Sequence, residues 1–499
     1  MAFSFRDPAV NLNLAPSLLQ RRGAIEALLL WLFAALLIWA PIPLGSDRPW
    51  SWALLESGVF VILALWLVAW VIGAVGTSDV VRAAWPAWVV LALWIVLQGF
   101  SFIPLPRPWV EVLSPQAARM QSLTDALGAP RELMTLSIDP HASRVSFLKT
   151  LAYSGIFFLT LVLANRRARI LLLARLLVYS AVVMSVFAVL LHLGEVQLDW
   201  FGYPMTYGDS ASATYPNRNH FAGYLEMMLA LGIGLLVAGL SDRKVDTWSR
   251  FLRLTIEWIL SPKMILRLAL CVLVIALTTT HSRMGNTAFF SSLIVAGVIG
   301  ITLSRQAPRN TVLLLVSLVA IDLFIVGSWF GVEKLAQRLE QTTSQDVASR
   351  EEPAAYTIPL IKDYGVFGSG PGSFYVAFPR YRPSTVEGFY DNTHNDYAQF
   401  AAESGITGLA LMGLFVALAL GAALVAQARR RDPLMRGISF ACVMGVTSIL
   451  IHSWVDFNLQ IPANASLFMV LLALGWISLY HDRRNTASNE PATLRRDEE

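Results

Sequence analysis

The sequence has few cysteines and few charged residues, and each shortage excludes a class of protein. Its two cysteines, Cys271 and Cys442, lie inside apolar runs, which excludes the disulfide framework of a small secreted domain. Charged residues make up only 14% of the 499 residues, and the net charge of +4 comes from short separate segments rather than from one basic stripe. No nucleic-acid partner is therefore expected.

Two further absences concern ligands and processing. No group of side chains has the spacing of a metal site, so we expect neither a metal nor a cofactor. The N-terminal segment has no short apolar stretch followed by a small-residue cleavage site, which indicates that no signal peptide is removed. The first apolar run is expected to remain as a helix.

Apolar residues, in contrast, are abundant. They make up 56% of the chain, and the mean hydropathy is +0.56, more than a single soluble core can bury. They form runs of about 20 residues, the length of helix that crosses roughly 30 Å of hydrocarbon, rather than the alternating pattern of barrel strands. The sequence predicts an all-α, polytopic integral membrane protein. About twelve transmembrane helices are expected, near residues 24–44, 52–75, 84–103, 146–164, 170–191, 220–240, 268–282, 285–304, 311–331, 404–426, 437–455 and 465–481.

The basic residues predict how the chain crosses the membrane. With a cytoplasmic N-terminus, the arginine-rich and lysine-rich segments between spans fall on the cytoplasmic side, as the positive-inside rule requires. Both termini are then cytoplasmic, and three longer connections lie on the opposite side of the membrane, at residues 104–145, 192–219 and 332–403. The predicted divisions are nine transmembrane helices (1–331), a large periplasmic loop with active-site residues (332–403), three more helices (404–481) and a disordered cytoplasmic tail (482–499).

Two polar clusters interrupt the apolar pattern at the predicted periplasmic side. The first contains Asn217, Arg218 and Asn219, which cap the start of a helix or form a hydrogen-bonding lip for sugar or phosphate, two compatible interpretations. The second contains Arg283, where one span turns tightly into the next. A guanidinium near hydrocarbon is costly unless it extends to the interface or binds an anion. Arg283 is thus either an interface residue or a ligand for a lipid-linked phosphate.

The connection 332–403 is the third candidate region. It is far longer than an ordinary loop, which favours a structured and functional segment. It contains Arg350, a glycine-rich stretch from Gly365 to Gly372, and His394 in a polar run that leads into the next span. A single loop histidine is most often just an exposed side chain. Its polar neighbours favour a functional role for His394.

These motifs together resemble those of a known family. His394 and Asn395, then nine residues, Gly405, two residues and Gly408 resemble the signature of the O-antigen ligase/polymerase superfamily of bacterial envelope glycosyltransferases. Further elements follow in that family's order over roughly residues 215 to 460: the 217–222 stretch, the corner at Arg283, Arg350 before the glycine-rich stretch, and the segment 452–457, His-Ser-Trp-Val-Asp-Phe.

The resemblance implies a metal-independent glycosyltransferase. Arg283 and Arg350 would match the family's pyrophosphate-binding arginines and His394 its proposed catalytic base. The donor would be a glycan on undecaprenyl pyrophosphate, and the acceptor another glycan or lipid A core, within the lipid bilayer. The membrane would be the bacterial inner membrane, with the active site on its periplasmic side. Expected substrate contacts are Asn217, Arg218, Asn219 and Asn395, while Asp391, Asp396 and Glu403 are candidates to orient His394 or to cap helices.

Several alternatives remain open from the sequence. Polymerase, ligase and protein glycosylation use a similar donor, and the aromatic residues of the large loop favour a polymerase weakly. A transporter or flippase also fits twelve spans, and Glu226 and Asp322 fall within apolar segments. The sequence shows no strong internal repeat, however. A structural scaffold would not require Arg283, Arg350 and His394 on one side of the membrane.

Overall fold

The computed structural model describes residues 16–123, 125, 128, 131–239, 262–303, 344–384 and 389–481, with no side-chain detail for 16–22, 262–263 and 344–352. The described helices are α1 (Pro16–Trp39), α2 (Pro49–Val71), α3 (Asp79–Ala83), α4 (Trp85–Ser101), α5 (Arg107–Leu113), α6 (Pro115–Ser122), α7 (Pro140–Leu163), α8 (Arg167–Leu193), α9 (Arg218–Ala238), α10 (Pro262–Thr279), α11 (Arg283–Leu303), α12 (Ser344–Tyr364), α13 (Phe374–Ala377), α14 (Asp396–Arg429), α15 (Pro433–His452) and α16 (Pro462–Tyr480).

Two short antiparallel pairs complete the regular structure. Strand β1 (Leu105–Pro106) pairs with β2 (Leu133–Met134), and β3 (Gln197–Trp200) pairs with β4 (Tyr203–Thr206). Short 3₁₀ turns lie at Leu44–Ser46, Phe378–Arg380 and Asn458–Gln460. The protein is therefore helical with little sheet, as the apolar runs predict.

The apolar helices agree with the predicted spans. Within the described residues, eight helices are long and apolar enough to cross a membrane, and Gly23–Trp39, Trp85–Ser101 and Met264–Thr279 are shorter apolar segments. Each predicted span within the described residues overlaps one of these helices, whereas the span near 311–331 lies outside them. The all-α membrane class is confirmed, and the number of twelve stays a prediction.

Three helices form the centre of the bundle. Most of α9, α15 and α16 is buried inside the protein, whereas α2, α8 and α14 expose much of their apolar surface. Helices α9 and α15 approach closely because Gly234 and Gly437 face each other, and a Cβ at either position would collide with the other's carbonyl oxygen. Polar side chains on these central helices are consequently shielded from any solvent outside the protein.

Two of the long connections pack together at one end of the helices. Leu105, Val110 and Leu136 from the first share an apolar cluster with Leu360 and Phe374 from the second. The backbone N–H of residue 138 donates to the carbonyl oxygen of residue 369 over 2.9 Å. The described parts of the connections 104–145 and 332–403, which the basic-residue pattern assigns to one side, therefore lie together at one end of the bundle.

Helix α14 begins earlier than predicted. The apolar pattern begins near residue 404, but the helix begins at Asp396 and is interrupted at Gly405, whose φ is 69° and ψ is 178°. A Cβ at Gly405 would collide with the carbonyl oxygen of Val366. The Ile406 N–H, freed by the interruption, donates to the Gly365 carbonyl over 3.1 Å. The two glycine-containing segments thus fit into one another, and residues 396–403, which precede the apolar run, are helical.

Candidate functional site

The site is built around His394, which immediately precedes the cap of α14. Its φ of 54° is a left-handed conformation that is uncommon for a residue other than glycine. The backbone on either side is fixed: the Thr393 N–H donates to Gln399 Oε1 over 2.9 Å, and the Asn395 side chain accepts from the Ala398 N–H over 3.0 Å. These hydrogen bonds hold the unusual backbone conformation that presents the imidazole.

Asp456 lies beside three histidines. Its Oδ1 atom is 3.9 Å from His394 Nδ1 and 3.4 Å from His220 Nε2, and its Oδ2 atom is 3.9 Å from His452 Nε2. Asp456 is only 1% exposed. Burial alone raises the pKa of Asp456, but the nearby imidazoles of His220, His394 and His452 hold that pKa well below its usual range. A buried carboxylate therefore stays ionised next to His394.

A second buried carboxylate extends this cluster into the helices. Glu226 of α9 is completely buried, and its Oε1 atom is 2.7 Å from His452 Nδ1. Ser448 Oγ donates to Glu226 Oε2 over 2.5 Å. Glu226, His452, Asp456 and His394 thus form a continuous series, called here the carboxylate–histidine chain. Glu226, which suggested a transporter in the sequence, is part of this chain, and Asp322 lies outside the described residues.

The side chain of His394 remains accessible. It is 32% exposed, whereas that of His220 is 6% exposed and that of His452 is fully buried. Because Nδ1 faces Asp456, the opposite ring nitrogen of His394 is directed away from the carboxylate. Among the three histidines, His394 is consequently the one that a substrate can reach. The described His, Cys, Asp and Glu side chains include no group of three or more with the geometry of a metal site.

Two other acidic candidates, Asp396 and Glu403, accept hydrogen bonds that stabilise the surrounding loops. Asp396 accepts hydrogen bonds from Ser453 Oγ over 2.8 Å and from the Leu459 N–H over 3.1 Å, which fix the segment that carries Asp456. Glu403 accepts from the Phe374 N–H and from the Gln399 side chain, each over 3.0 Å. The carboxylate beside His394 is that of Asp456, from a motif quoted in the sequence without an assigned role. Its distance along the chain from His394 gave no signal of this pairing.

The asparagines act as helix caps. Asn217 accepts from the Asn219 N–H over 2.9 Å at the start of α9, which confirms the capping interpretation. Asn395 caps α14 and also donates to the Trp454 carbonyl over 2.8 Å, which ties the His394 segment to the Asp456 segment. Asn219 is buried and Arg218 is half-buried. Substrate binding by these four residues stays a prediction.

The structure describes the side chain of Arg283 but not that of Arg350. Arg283 is exposed at the first position of α11. Its corner is tied to the segment before α9, because the Ala211 N–H donates to the Thr279 carbonyl over 2.9 Å. Arg350 belongs to α12, but its side chain lies outside the described residues. Pyrophosphate binding by Arg283 and Arg350 stays a prediction.

A cavity of about 510 Å³ adjoins the cluster. The ring of Phe457 lines it and is also 4.9 Å from the His394 ring and 4.6 Å from the His220 ring, centroid to centroid. Asp391 and Asn392, which precede His394 closely in the sequence, line the cavity as well. A ligand in the cavity would therefore lie next to the segment that carries His394.

The fold and the site define a helical membrane protein in which buried carboxylates support one accessible histidine at an end of the bundle. Residues 268–413, which include Arg283, Arg350 and His394, match the family model described as O-Antigen ligase, and this confirms the resemblance to the O-antigen ligase/polymerase superfamily. The match supports a glycosyl-transferring enzyme of the bacterial cell envelope. A comparison with curated proteins finds no match. Asp456, His452 and Glu226 lie outside the matched residues, and only the structure joins them to His394.

Proposed function

We propose that this protein transfers a glycan from undecaprenyl pyrophosphate to a hydroxyl of a second lipid-linked glycan or of lipid A core. The reaction takes place at the periplasmic face of the inner membrane, and the enzyme is a polymerase or a ligase. The observation that carries this proposal is the accessible His394 beside the buried Asp456, in a chain whose residues 268–413 match the O-antigen ligase model.

The histidine supplies general-base catalysis. The acceptor oxygen attacks the anomeric carbon of the donor, and its proton passes to the ring nitrogen of His394 that faces away from Asp456. The positive charge that forms on the imidazole is stabilised by the Asp456 carboxylate, 3.9 Å from Nδ1. Because Asp456 is buried and ionised, its interaction with this charge is stronger than it would be in water.

The leaving group requires a different kind of support. As the bond between the anomeric carbon and the pyrophosphate oxygen breaks, negative charge grows on the pyrophosphate. Arg283 and Arg350 neutralise that charge with planar guanidinium groups that match phosphate oxygens, and the proposed reaction requires no metal. The exposure of Arg283 at the start of α11 is compatible with this role.

The transporter alternative receives less support. A transport site would require intramembrane charges that bind substrate near the middle of the membrane. Glu226 is the described residue that best suited this role, and it is already hydrogen-bonded to His452 and Ser448. Its place in the carboxylate–histidine chain favours the enzyme.

The test is a gel of surface polysaccharide and lipopolysaccharide from a deletion strain. The strain is complemented with wild type, Arg283→Ala, Arg350→Ala or His394→Ala, with exposed His141→Ala as the matched histidine control. Loss of extended glycan with single repeats remaining indicates a polymerase, and full-length glycan retained on its lipid carrier indicates a ligase. Unchanged glycan together with altered movement of a solute contradicts the enzyme and favours the transporter.

A further inference from the structure

The cavity beside Phe457 has a polar end and an apolar end. Its five charged lining residues, Asp47, Arg48, Lys149, Asp391 and Glu403, come from loops or from the first ten residues of α7 and α14, at the His394 end of the helices. From there the cavity continues between α4, α7, α14 and α16 along apolar side chains. The ligand that fits both ends is amphipathic.

The apolar part is deep enough for a hydrocarbon chain. On α4, the lining residues run from Gln98 inward to Val90, a distance of about 12 Å at 1.5 Å per residue. This approaches half of the roughly 30 Å hydrocarbon thickness of a bilayer. Met412 and Phe415 on α14 and Leu472 on α16 form the facing walls. A soluble polar ligand would leave this apolar surface without a partner.

The polar end suits hydroxyl groups better than phosphate. Three carboxylates and two cations line it, so it carries no excess of positive charge. The Lys149 ammonium lies over the Trp52 ring at 3.8 Å and within electrostatic range of Asp47 and Glu403. Burial raises the pKa of the Asp47 carboxyl, even though His220 and Lys149 act in the opposite direction. A pyrophosphate would meet these carboxyl groups, whereas sugar hydroxyls can donate to them and accept from Lys149.

Aromatic rings at the same end add a second feature of sugar recognition. Trp52 and Tyr375 line the cavity together with Phe457. Flat ring faces pack against the apolar faces of saccharides while carboxylates bind their hydroxyls. Arg283, the exposed arginine proposed for the donor, is at the start of α11, which packs mainly against α9 and α15 and only slightly against α14.

We propose that this cavity is the acceptor site, and that its ligand is a saccharide carried on a long hydrocarbon chain. The inference rests on the proposed function, since it places an acceptor hydroxyl beside His394. The saccharide occupies the polar end next to Phe457, and the chain extends between α4, α14 and α16. Helices α2, α4 and α7 lie outside residues 268–413, so the first half of the chain determines which acceptor is used.

The test uses binding rather than turnover. The full chain is placed in phospholipid nanodiscs with a dodecyl maltoside that carries a photoreactive diazirine in its chain, and labelled peptides are measured by mass spectrometry. Met412→Trp fills the apolar part of the cavity, whereas Leu414→Trp adds the same ring to the exposed side of the same helix. We expect α14 and α16 peptides to be labelled in wild type and Leu414→Trp, and at least tenfold less in Met412→Trp.

A second variant covers the case in which Met412→Trp does not fold, as judged by size-exclusion chromatography. Ala465→Leu narrows the cavity from α16 with a smaller change, and we expect it also to reduce labelling severalfold. Equal labelling of wild type and of the folded cavity variant contradicts the proposal. So does displacement of the maltoside by geranylgeranyl pyrophosphate as effectively as by a lipid-linked disaccharide, because the cavity would then bind a donor carrier.

Competition also identifies the lipid. A polyprenyl-linked disaccharide that displaces the photoreactive maltoside better than an acyl-linked glycolipid indicates a polymerase acceptor, and the reverse order indicates a lipid A-type acceptor. The labelling experiment contains no donor, so its failure contradicts the cavity assignment alone. Failure of the proposed function is detected separately, by unchanged polysaccharide in the Arg283→Ala and His394→Ala strains.

Discussion

Glu226 and His452 face each other inside the helix bundle, with 2.7 Å between Oε1 and Nδ1, and neither side chain is exposed to solvent. Charged or polar groups at such a position are costly unless they are paired. This pair also adjoins the candidate site, because the other ring nitrogen of His452 faces Asp456, which in turn lies beside His394. A substitution inside the helix bundle is therefore expected to affect the accessible histidine.

The first prediction concerns the base. His394→Ala removes the group that accepts the acceptor proton, and we expect glycan transfer to fall by about 10²- to 10⁴-fold, the usual contribution of general acid–base catalysis. The measurement is the initial rate of glycan transfer by purified protein in nanodiscs. His141→Ala, an exposed histidine at the start of α7, should retain the wild-type rate. A His394→Ala rate within twofold of wild type would mean that another group is the base.

The second prediction concerns Asp456 as a positioning residue. Asp456→Asn keeps the size of the side chain but removes the charge next to His394 and His452. We expect kcat to fall by roughly 10²-fold or more while KM for the acceptor changes little, because the charge acts mainly in the transition state. A rise in KM with kcat unchanged would indicate that Asp456 shapes the binding site instead.

The same variant has a predicted dependence on pH. Since the pKa of Asp456 is lowered in the folded protein, the ionised carboxylate contributes stability above its unfolded pKa of about 3.9, and that contribution is lost as the pH falls through the lower folded value. We expect wild type to have the higher Tm between about pH 8 and about pH 5. The margin should shrink as the pH falls below about pH 4. A margin that stays undiminished from about pH 4 down to about pH 2 would contradict a lowered pKa.

Glu226 provides the fourth prediction, which concerns stability. Glu226→Leu leaves the buried His452 and Ser448 without their partner, and we expect the free energy of unfolding to fall by about 3–5 kcal/mol, as for other broken buried pairs. Glu226→Gln keeps a hydrogen-bond acceptor and should cost less. The measurement is denaturant unfolding in detergent. Equal stability of Glu226→Leu and wild type would show that the pair is not a stabilising contact.

The sequence predicted the spans well because the signal for a transmembrane helix is local. The apolar runs around α7, α9 and α16 identify these helices without knowledge of their neighbours. The start of α14 was wrong by eight residues for a non-local reason. Residues 396–403 mix polar and apolar side chains and come just before the interruption at Gly405, and they are helical because the Gly365 segment supplies a partner where the helix is interrupted.

The candidate site likewise has a part that a local sequence pattern predicts and a part that only tertiary contacts reveal. His394 was identified because its neighbours in the sequence, Asn395, Gly405 and Gly408, form a recognisable pattern. The role of Asp456 was missed, since nothing in the order of residues shows that its carboxylate meets His394 and His220. The tertiary packing of α9, α14 and α15 brings these three side chains together. The cavity was missed for the same reason, because its walls come from helices in both halves of the chain.

The last prediction tests the interruption of α14. Gly405→Ala places a Cβ against the Val366 carbonyl in a backbone conformation that side chains rarely adopt. We expect a loss of roughly 1–3 kcal/mol of stability, the usual cost of a strained residue, or a displaced loop between Gly365 and Gly372. That loop connects α12, which carries Arg350, to the rest of the site, so glycan transfer should fall as well.

Gly413→Ala is the matched control for this substitution. Gly413 lies on the same helix with no atom within 4 Å of an added Cβ, and alanine there should stabilise the helix by about 0.5–1 kcal/mol. Thermal unfolding and transfer rates of the two variants are compared in the same detergent. Similar effects of the two substitutions would show that the close fit at Gly405 does not position the loop. A loss of stability and transfer in Gly405→Ala alone would show that this glycine allows two segments to pack together. Glycine lacks a Cβ, and a Cβ at this position would collide with the Val366 carbonyl oxygen.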